Sequence, residues 1–227
     1  MAGGPRKRVM RRRIFADRAE AGGLLGERLA QMQLAQPVVL ALPRGGVPVA
    51  AQIATRLCAP LDVVFVRKLG APYQPELAIG AVADGSDPEI VLNTELVAML
   101  DLNEGYIASA AQRELAVIER RRQEWTPLRP VITAAGHTLI VVDDGVATGM
   151  TMQAALRQQM RRRPAKLIAA TPVASREAVA MLKREADAVV CLLSPRNFGS
   201  VGAFYRSFVQ VTDEEVAALL RSQPASV

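Results

Sequence analysis

Short runs of consecutive apolar residues, separated by helical segments, restrict the fold of this 227-residue chain more than any other pattern in it. Residues 38–42, 139–142 and 188–193 are such runs. A strand that alternates apolar and polar residues has one solvated face, whereas a strand that is apolar throughout is buried on both faces. Because helices must then cover both faces, the pattern predicts an α/β fold built on a parallel sheet.

The other predicted elements fit this architecture. The predicted strands span residues 38–42, 61–66, 77–83, 89–92, 138–142, 166–171 and 188–193. The predicted helices span residues 15–34, 48–57, 94–124, 151–161 and 175–185, and a capping box at 212–215 opens a short last helix. Ligands of parallel sheets bind beyond the carboxyl ends of the strands, so the loops after Leu42, Val66 and Val142 are expected to form the site.

The composition excludes several classes of protein. Cys58 and Cys191 lie far apart at apolar stretches, so we expect free thiols in a reducing, cytoplasmic compartment. The single histidine, His137, cannot complete a structural zinc site with them, and no G-x-S-x-G motif indicates a serine hydrolase. No apolar run reaches the ~18 residues of a membrane span, and no apolar segment follows the basic N-terminus as in a secretory signal. We therefore expect no membrane partner.

The net charge of +6 favours anionic partners, either phosphorylated metabolites or nucleic acid. Six basic residues lie within residues 1–13, which we predict to be a solvated tail or a nucleic-acid contact. A second basic run, 161–163, lies at the predicted end of a helix, where cations are favoured in any case. Residues 14–227 are predicted to form one domain.

One loop carries most of the chemical information. The apolar strand that ends at Val142 is followed by Asp143 and Asp144, then by a loop of small and hydroxyl residues, and then by a helix. The first N–H groups of a helix are unsatisfied and its dipole is positive there, so the loop predicts a phosphate site. Carboxylates accept hydrogen bonds from hydroxyl groups, so Asp143 and Asp144 fit the 2′- and 3′-hydroxyls of a ribose. They also suit Mg²⁺, while a simple helix cap is the alternative explanation.

Residues 141–151, with the sequence VVDDGVATGMT, resemble the phosphoribosyl pyrophosphate signature of type I phosphoribosyltransferases. A wider resemblance to predicted bacterial phosphoribosyltransferases rests on residues 15–18, 42–46, 66–70, 76–81 and 198–205. The resemblance implies a Rossmann-like parallel sheet at about 38–193. It also implies a small hood built from residues 14–34 and 194–227, a flap at 69–74, and a homodimer.

The resemblance also assigns roles to residues. The 5′-phosphate loop comprises Gly145, Val146, Ala147, Thr148, Gly149, Met150 and Thr151. The pyrophosphate site comprises Arg44, Gly45, Gly46, Arg67 and Lys68, and the hood offers Phe198, Val201 and Tyr205 to the acceptor base. The catalytic set is Asp143, Asp144, Arg44 and Lys68, with Mg²⁺ held by the two aspartates directly or through water. Glu76 is a candidate acid–base or positioning group.

The implied reaction is a magnesium-dependent transfer of the 5-phosphoribosyl group of phosphoribosyl pyrophosphate to or from a nitrogenous base. Two positions depart from the family pattern. Gly145 replaces an aliphatic residue, and Ala147 replaces an aspartate of the hypoxanthine-guanine enzymes. The first departure predicts a more flexible loop entry, and the second removes one group from any proton transfer. Two alternatives remain: an RNA-binding regulator that senses ribose phosphates, and a non-catalytic partner domain.

Overall fold

The computed structural model describes residues 14–85, 87–128 and 134–222, so the basic tail predicted for residues 1–13 lies outside it. The strands are β1 (Pro37–Ala41), β2 (Leu61–Val63), β3 (Val66–Ala71), β4 (Gln74–Ala83), β5 (Glu89–Leu92), β6 (Thr138–Val142), β7 (Lys166–Val173) and β8 (Ala188–Leu193). The α-helices are α1 (Arg18–Ala30), α2 (Gly46–Leu57), α3 (Thr94–Met99), α4 (Glu104–Trp125), α5 (Met150–Met160), α6 (Arg176–Leu182) and α7 (Asp213–Ser222).

The main sheet has five parallel strands in the order β2-β1-β6-β7-β8. Every residue of β6, at its centre, is buried. Side chains of α1, α2 and α7 pack on one face of this sheet, and side chains of α5 and α6 pack on the other. The α/β architecture with a parallel sheet is therefore confirmed, because the continuous apolar runs are indeed strands covered on both faces.

A second sheet, antiparallel in the order β3-β4-β5, packs against α4. The predicted pairing of residues 77–83 with 89–92 is confirmed as β4 and β5. The prediction of one strand over residues 61–66 is wrong, because β2 ends at Val63 and the chain crosses to the second sheet. Val64 and Phe65 are buried in that crossing, so the apolar run continues although the strand does not. Apolar periodicity alone cannot locate such a change of sheet.

The single helix predicted for residues 94–124 is also wrong, because it is two helices. Between α3 and α4 the chain turns at Asp101, whose φ is 49°. The side chain of Asn103 then accepts a hydrogen bond from the backbone N–H of Tyr106 and starts α4. Asn is a favourable N-cap residue, and this signal within the predicted helix marked the break.

The two terminal parts of the described chain meet over the edge of the main sheet. The backbone N–H of Phe15 donates to the carbonyl of Phe204 at 2.8 Å, and that of Arg206 donates to Phe15 at 2.8 Å. Phe15, Phe204 and Tyr205 are buried together there. The predicted capping box is confirmed, since Thr212 Oγ1 accepts from the Glu215 N–H at 3.1 Å. No helix among the described residues is both long and apolar enough to span a membrane.

Candidate active site

The candidate site is a cavity of about 730 Å³ at the carboxyl edge of the parallel sheet. Its lining comes from the segments after β1 and β6, the loop before α5, strands β3 and β4, one face of α4, and the hood. The loops after Leu42 and Val142 meet there because β1 and β6 are neighbours in the sheet. The strand ends therefore converge on one cavity, as predicted for a parallel sheet.

Asp143 and Asp144 follow β6 and line the cavity, but their partners differ. Asp143 Oδ1 accepts a hydrogen bond from the backbone N–H of Asp144 at 2.9 Å. Asp144 Oδ2 accepts one from Arg18 Nε at 2.7 Å, and the two paired side chains are 13% and 12% exposed. Sequence reasoning assigned no role to Arg18, because no local pattern connects it to a carboxylate 126 positions away.

Arg18 and Asp144 are held in turn by the C-terminal part of the hood. Arg18 Nη1 donates to the carbonyl of Val209 at 2.7 Å, and its guanidinium carbon lies 3.8 Å from the centroid of the Phe208 ring. The hydroxyl of Tyr205 donates to the backbone carbonyl of Asp144. Residues from both ends of the described chain thus fix the position of one carboxylate.

Burial dominates the electrostatics of the acidic pair. It raises the pKa of Asp143 well above its ordinary value, the negative charge of Asp144 raises that pKa further, and the charge of Lys68 lowers it. Burial also raises the pKa of Asp144, against the opposing effect of Arg18. A cation or hydroxyl donor that enters the cavity beside the two carboxylates therefore stabilises their ionised forms.

The loop after the acidic pair is anchored to the neighbouring strand β7. The N–H of Val146 donates to the carbonyl of Val173 at 2.9 Å, and Ser175 Oγ donates to the carbonyl of Ala147 at 2.7 Å. Gly149, with a φ of 87°, starts α5 without a side-chain cap. The first N–H groups of α5 are thus free of a capping side chain, which suits an anion.

The predicted 5′-phosphate loop reaches the cavity except at one position. Met150 does not line it and instead packs against the core. The members of this loop that line the cavity are Gly145, Val146, Ala147, Thr148, Gly149 and Thr151.

Gly145 allows a close contact with the hood. A Cβ atom at this position would lie 2.2 Å from Val201 Cγ1. The absence of an aliphatic side chain, which predicted flexibility, thus allows Val201 to pack against the loop entry.

The loop after β1 reaches the acidic pair through its glycines. A Cβ atom on Gly45 would lie 2.1 Å from Asp144 Oδ2, and one on Gly46 would lie 2.7 Å from the Val142 carbonyl. The absence of a side chain, and not a positive φ, is what this position requires of Gly45, whose φ is −61°. The peptide bond between Pro43 and Arg44 is cis. Arg44 itself does not line the cavity.

Arg67 and Lys68 lie on β3 rather than after a strand end, which corrects their predicted setting, but both line the cavity. Arg67 Nε donates to Glu114 Oε2 at 2.6 Å. Lys68 is exposed and acts electrostatically on Asp143. Glu76 is an exposed residue of β4 that also lines the cavity.

One face of α4 forms a wall of the cavity that sequence reasoning missed. Its lining residues recur at helical spacing: Tyr106, Ala110, Arg113, Glu114 and Arg121. The spacing was visible in the sequence, but the wall arises from long-range packing of α4 on the second sheet. A pattern of this kind indicates a helix face and not what that face contacts.

Two described residues of the hood line the cavity, and one of them was predicted. Of the three predicted acceptor residues, Val201 lines the cavity, whereas Phe198 packs on Phe204 with 5.5 Å between ring centroids. Tyr205 does not line the cavity and contacts the site through Asp144. Phe208, to which no role was assigned, lines the cavity and is 37% exposed.

The basic run that motivated the RNA-binding alternative is partly engaged. Arg161 pairs with Asp87 at 2.7 Å and also with Glu89. Its charge is thus offset within the described chain. The tail at residues 1–13 lies outside the described residues, so the structure adds no support for an RNA surface.

Comparison with known proteins identifies the family. Residues 13–206 match the family described as the phosphoribosyl transferase domain. Relatives from two Mycobacterium tuberculosis strains, CDC 1551 / Oshkosh and H37Rv, are 43% identical over 208 residues, and their names propose a phosphoribosyl transferase. The alignment covers 92% of this chain and 46% of each relative, so the chain spans about half their length.

A solved structure agrees with this result. The crystal structure of TT1426 from Thermus thermophilus is 44% identical, with a TM-score of 0.78, and the match covers 94% of this chain and 100% of the other. The family match extends over most of the chain, including the acidic pair and the loop before α5. The chain therefore belongs to the phosphoribosyl transferase domain family.

Proposed function

We propose that this protein transfers the 5-phosphoribosyl group of phosphoribosyl pyrophosphate to or from a nitrogenous base. The observation that carries the proposal is the order of groups along one cavity. An acidic pair adjoins an uncapped helix start on one side, and cations on β3 and α4 line the same cavity. A ligand with a phosphate, a ribose and a second anionic group matches this order.

Each part of that ligand has a group of suitable chemistry. The 5′-phosphate fits the backbone N–H groups at the start of α5, with hydroxyls from Thr148 and Thr151. The ribose hydroxyls fit Asp143 and Asp144, which accept hydrogen bonds when ionised. In the forward direction a nitrogen of the base forms a bond to the anomeric carbon and loses its proton. The bond from that carbon to pyrophosphate breaks, and pyrophosphate leaves with the electron pair.

The role proposed for the carboxylates is orientation and charge stabilisation. Positive charge develops on the sugar as the bond to pyrophosphate lengthens, and preorganised negative groups stabilise such charge. Asp143 is half-buried and close to Asp144, so its negative charge is costly in the free protein. It becomes favourable when the sugar carries positive charge. Neither carboxylate needs to form a covalent bond in this mechanism.

The donor set fits Mg²⁺ that arrives with the substrate. Among the described residues, no three His, Cys, Asp or Glu side chains come together to form a closed metal site. One oxygen of each aspartate is engaged within the protein, Asp143 Oδ1 by a backbone N–H and Asp144 Oδ2 by Arg18. Mg²⁺ binds through few carboxylates, several waters and substrate phosphates, so contact with Asp143 or Asp144, directly or through water, suffices. When bound, it would neutralise charge on the departing pyrophosphate.

Calorimetric titration with phosphoribosyl pyrophosphate and Mg²⁺ tests the proposal. The wild-type protein should bind, and Asp143→Asn combined with Asp144→Asn should weaken binding by about tenfold or more, since each lost charge-assisted hydrogen bond contributes ~1.5–3 kcal/mol. Glu177→Gln, an exposed carboxylate in the first turn of α6, is the matched control. A screen of nucleobases for pyrophosphate release then identifies the acceptor. A folded wild-type protein that binds no phosphoribosyl pyrophosphate would refute the proposal.

A further inference from the structure

A serine outside the predicted 5′-phosphate loop makes two contacts with the back of that loop. Ser175 Oγ donates to the carbonyl of Ala147 at 2.7 Å, and the backbone N–H of Ser175 donates to the carbonyl of Val146 at 3.0 Å. Ser175 is 8% exposed and does not line the cavity. Two successive carbonyl groups of the loop therefore point to a buried residue behind it.

The direction of these carbonyls determines the direction of the N–H groups that follow them. A trans peptide unit is planar, so its C=O and its N–H point in opposite directions. The peptide bonds of this loop are trans. The N–H groups of Ala147 and Thr148 therefore point away from Ser175, on the side of the loop that lines the cavity. Neither of them donates to another backbone group in the described part of the chain.

Helix α6 also contacts the residue at which α5 starts. A Cβ atom on Gly149 would lie 2.2 Å from Met181 Cε and 3.5 Å from Ala178 Cβ. Ser175, Ala178 and Met181 are spaced by three residues, so they lie on one side of the helix and its cap. Ser175 Oγ also accepts the N–H of Ala178 at 3.0 Å and is the N-cap of α6. One side of α6 thus supports the loop from its carbonyls to the start of α5.

The loop contains no basic residue to attract an anion. Residues 145–151 have the sequence GVATGMT. Within the described chain, the cations that line the cavity lie on β3 and α4. Successive backbone N–H groups that share one direction form an anion-binding concavity. The affinity of the loop for a phosphate therefore depends on how many neutral donors are directed at one point.

We propose that Ser175 is a positioning residue for this loop: it holds the carbonyls of Val146 and Ala147 so that the N–H groups of Ala147 and Thr148 face a bound phosphate ester. The inference rests on the proposed function, since it concerns the 5′-phosphate of that substrate. Ser175 touches neither the phosphate nor the reacting atoms and acts only through the peptide units of the loop. Without its hydroxyl, the peptide unit between Ala147 and Thr148 is free to rotate, and the Thr148 N–H loses its fixed direction.

Titration with ribose 5-phosphate measures this effect. Ser175→Ala should weaken binding about tenfold, because one of the directed N–H groups is lost. Ser175→Thr keeps a hydroxyl at the same position and should bind within about twofold of the wild type. Asn93→Ala is the matched control, because Asn93 caps α3 by accepting the Leu96 N–H at 3.0 Å. Its loss should lower stability and leave the affinity unchanged.

The amide signals of the loop give a readout that a loss of stability does not move. In the nuclear magnetic resonance spectrum of the wild type, ribose 5-phosphate should shift the amide protons of Ala147 and Thr148 downfield, because both donate to the phosphate. In Ser175→Ala the shift at Ala147 should persist, since the backbone N–H at position 175 still holds its peptide unit, whereas the shift at Thr148 should shrink. Equal shifts at Thr148 in the two proteins, or equal affinities, would overturn the inference.

Titration with phosphoribosyl pyrophosphate separates the inference from the proposed function. Equal affinity of the wild type and Ser175→Ala for this ligand would leave the function standing and remove the role of Ser175. Ribose 5-phosphate binding that depends on Ser175, in a protein that does not bind phosphoribosyl pyrophosphate, would support the positioning role and remove the function. A wild type that binds no ribose 5-phosphate would overturn the positioning role.

Discussion

Two adjacent aspartates of identical chemistry have different surroundings in this protein. Asp144 is paired with Arg18 and its backbone is held by Tyr205, whereas Asp143 accepts a hydrogen bond from the backbone N–H of Asp144 and has the charge of Lys68 acting on it without a direct ion pair. The sequence predicted both side chains at the end of a strand, because a carboxylate pair after an apolar run is a local pattern. It could not predict that Asp144 is the member of the pair that binds a cation, since Arg18 and Tyr205 reach it from the hood.

Arg18→Ala tests the pairing of Asp144. The substitution leaves a mostly buried carboxylate without its cation, so the free energy of unfolding should fall by about 2 kcal/mol. Affinity for phosphoribosyl pyrophosphate should fall as well, because Asp144 is no longer held in place. Urea denaturation and calorimetry measure the two effects. Arg28→Ala, in the last turn of the same helix, is the control, and equal behaviour of the two variants would contradict the assigned role.

The raised pKa of Asp143 predicts how the stability of the protein depends on pH. Its pKa is raised in the folded protein, so folding favours the protonated form. This stability is fully present below the ordinary pKa of an aspartate and is lost as the pH rises through the raised value. Asp143→Asn cannot ionise and should therefore become more stable relative to the wild type across that window. Denaturation at a series of pH values tests this, and parallel curves for the two proteins would rule it out.

At the scale of elements, the sequence predicted the strands of the main sheet better than the region between β2 and β6. Strands β6 and β8 occur at the predicted residues, because apolar runs flanked by polar loops have clear ends. The change of sheet after Val63 and the break before α4 were missed. After Val63 the apolar run continues while the chain changes direction, and only long-range packing determines where that happens. Before α4 the N-cap residue Asn103 was a local signal that the prediction of one helix passed over.

The contact between Gly145 and Val201 joins the loop entry to the hood and gives a prediction at this scale. Gly145→Ala would place a methyl group within 2.2 Å of Val201 Cγ1, so it should destabilise the protein by about 1–3 kcal/mol. Val201→Ala in the same chain should restore most of that loss, because it removes both clashing methyl groups. A double-mutant cycle on the free energy of unfolding measures the coupling. Additive effects would show that the two residues are independent.

At the scale of the whole molecule, the site lies where two sheets of different construction meet. The parallel sheet supplies the acidic pair and the helix start, and the antiparallel sheet with α4 supplies most of the cations. The acidic pair, the helix start and the cations Arg67 and Lys68 were assigned from the sequence. The wall formed by α4 was not, since it requires the packing of α4 on β3 and β4. Arg113 and Arg121 were for that reason invisible as site residues.

Hydrogen exchange can test whether residues of both sheets take part in substrate binding. Bound phosphoribosyl pyrophosphate contacts both halves in this arrangement, so exchange should slow at the loop before α5 and also near Arg67 on β3. Amides of β8, which contributes nothing to the cavity lining, should serve as the internal control. Mass spectrometry of peptides from the free and bound protein measures the change. Protection confined to the loop before α5 would show that the second sheet takes no part in binding.

The contacts that hold Asp144 in place also determine when the site can form during synthesis of the chain. Arg18 makes hydrogen bonds to groups 126 and 191 positions further along the chain. The site therefore depends on contacts between residues that are far apart in sequence. Such contacts form late, because a long loop must close before they stabilise anything. During synthesis the acidic pair is complete well before Val209 leaves the ribosome. A nascent chain should therefore acquire its parallel sheet first and its affinity for substrate only after the hood has been translated.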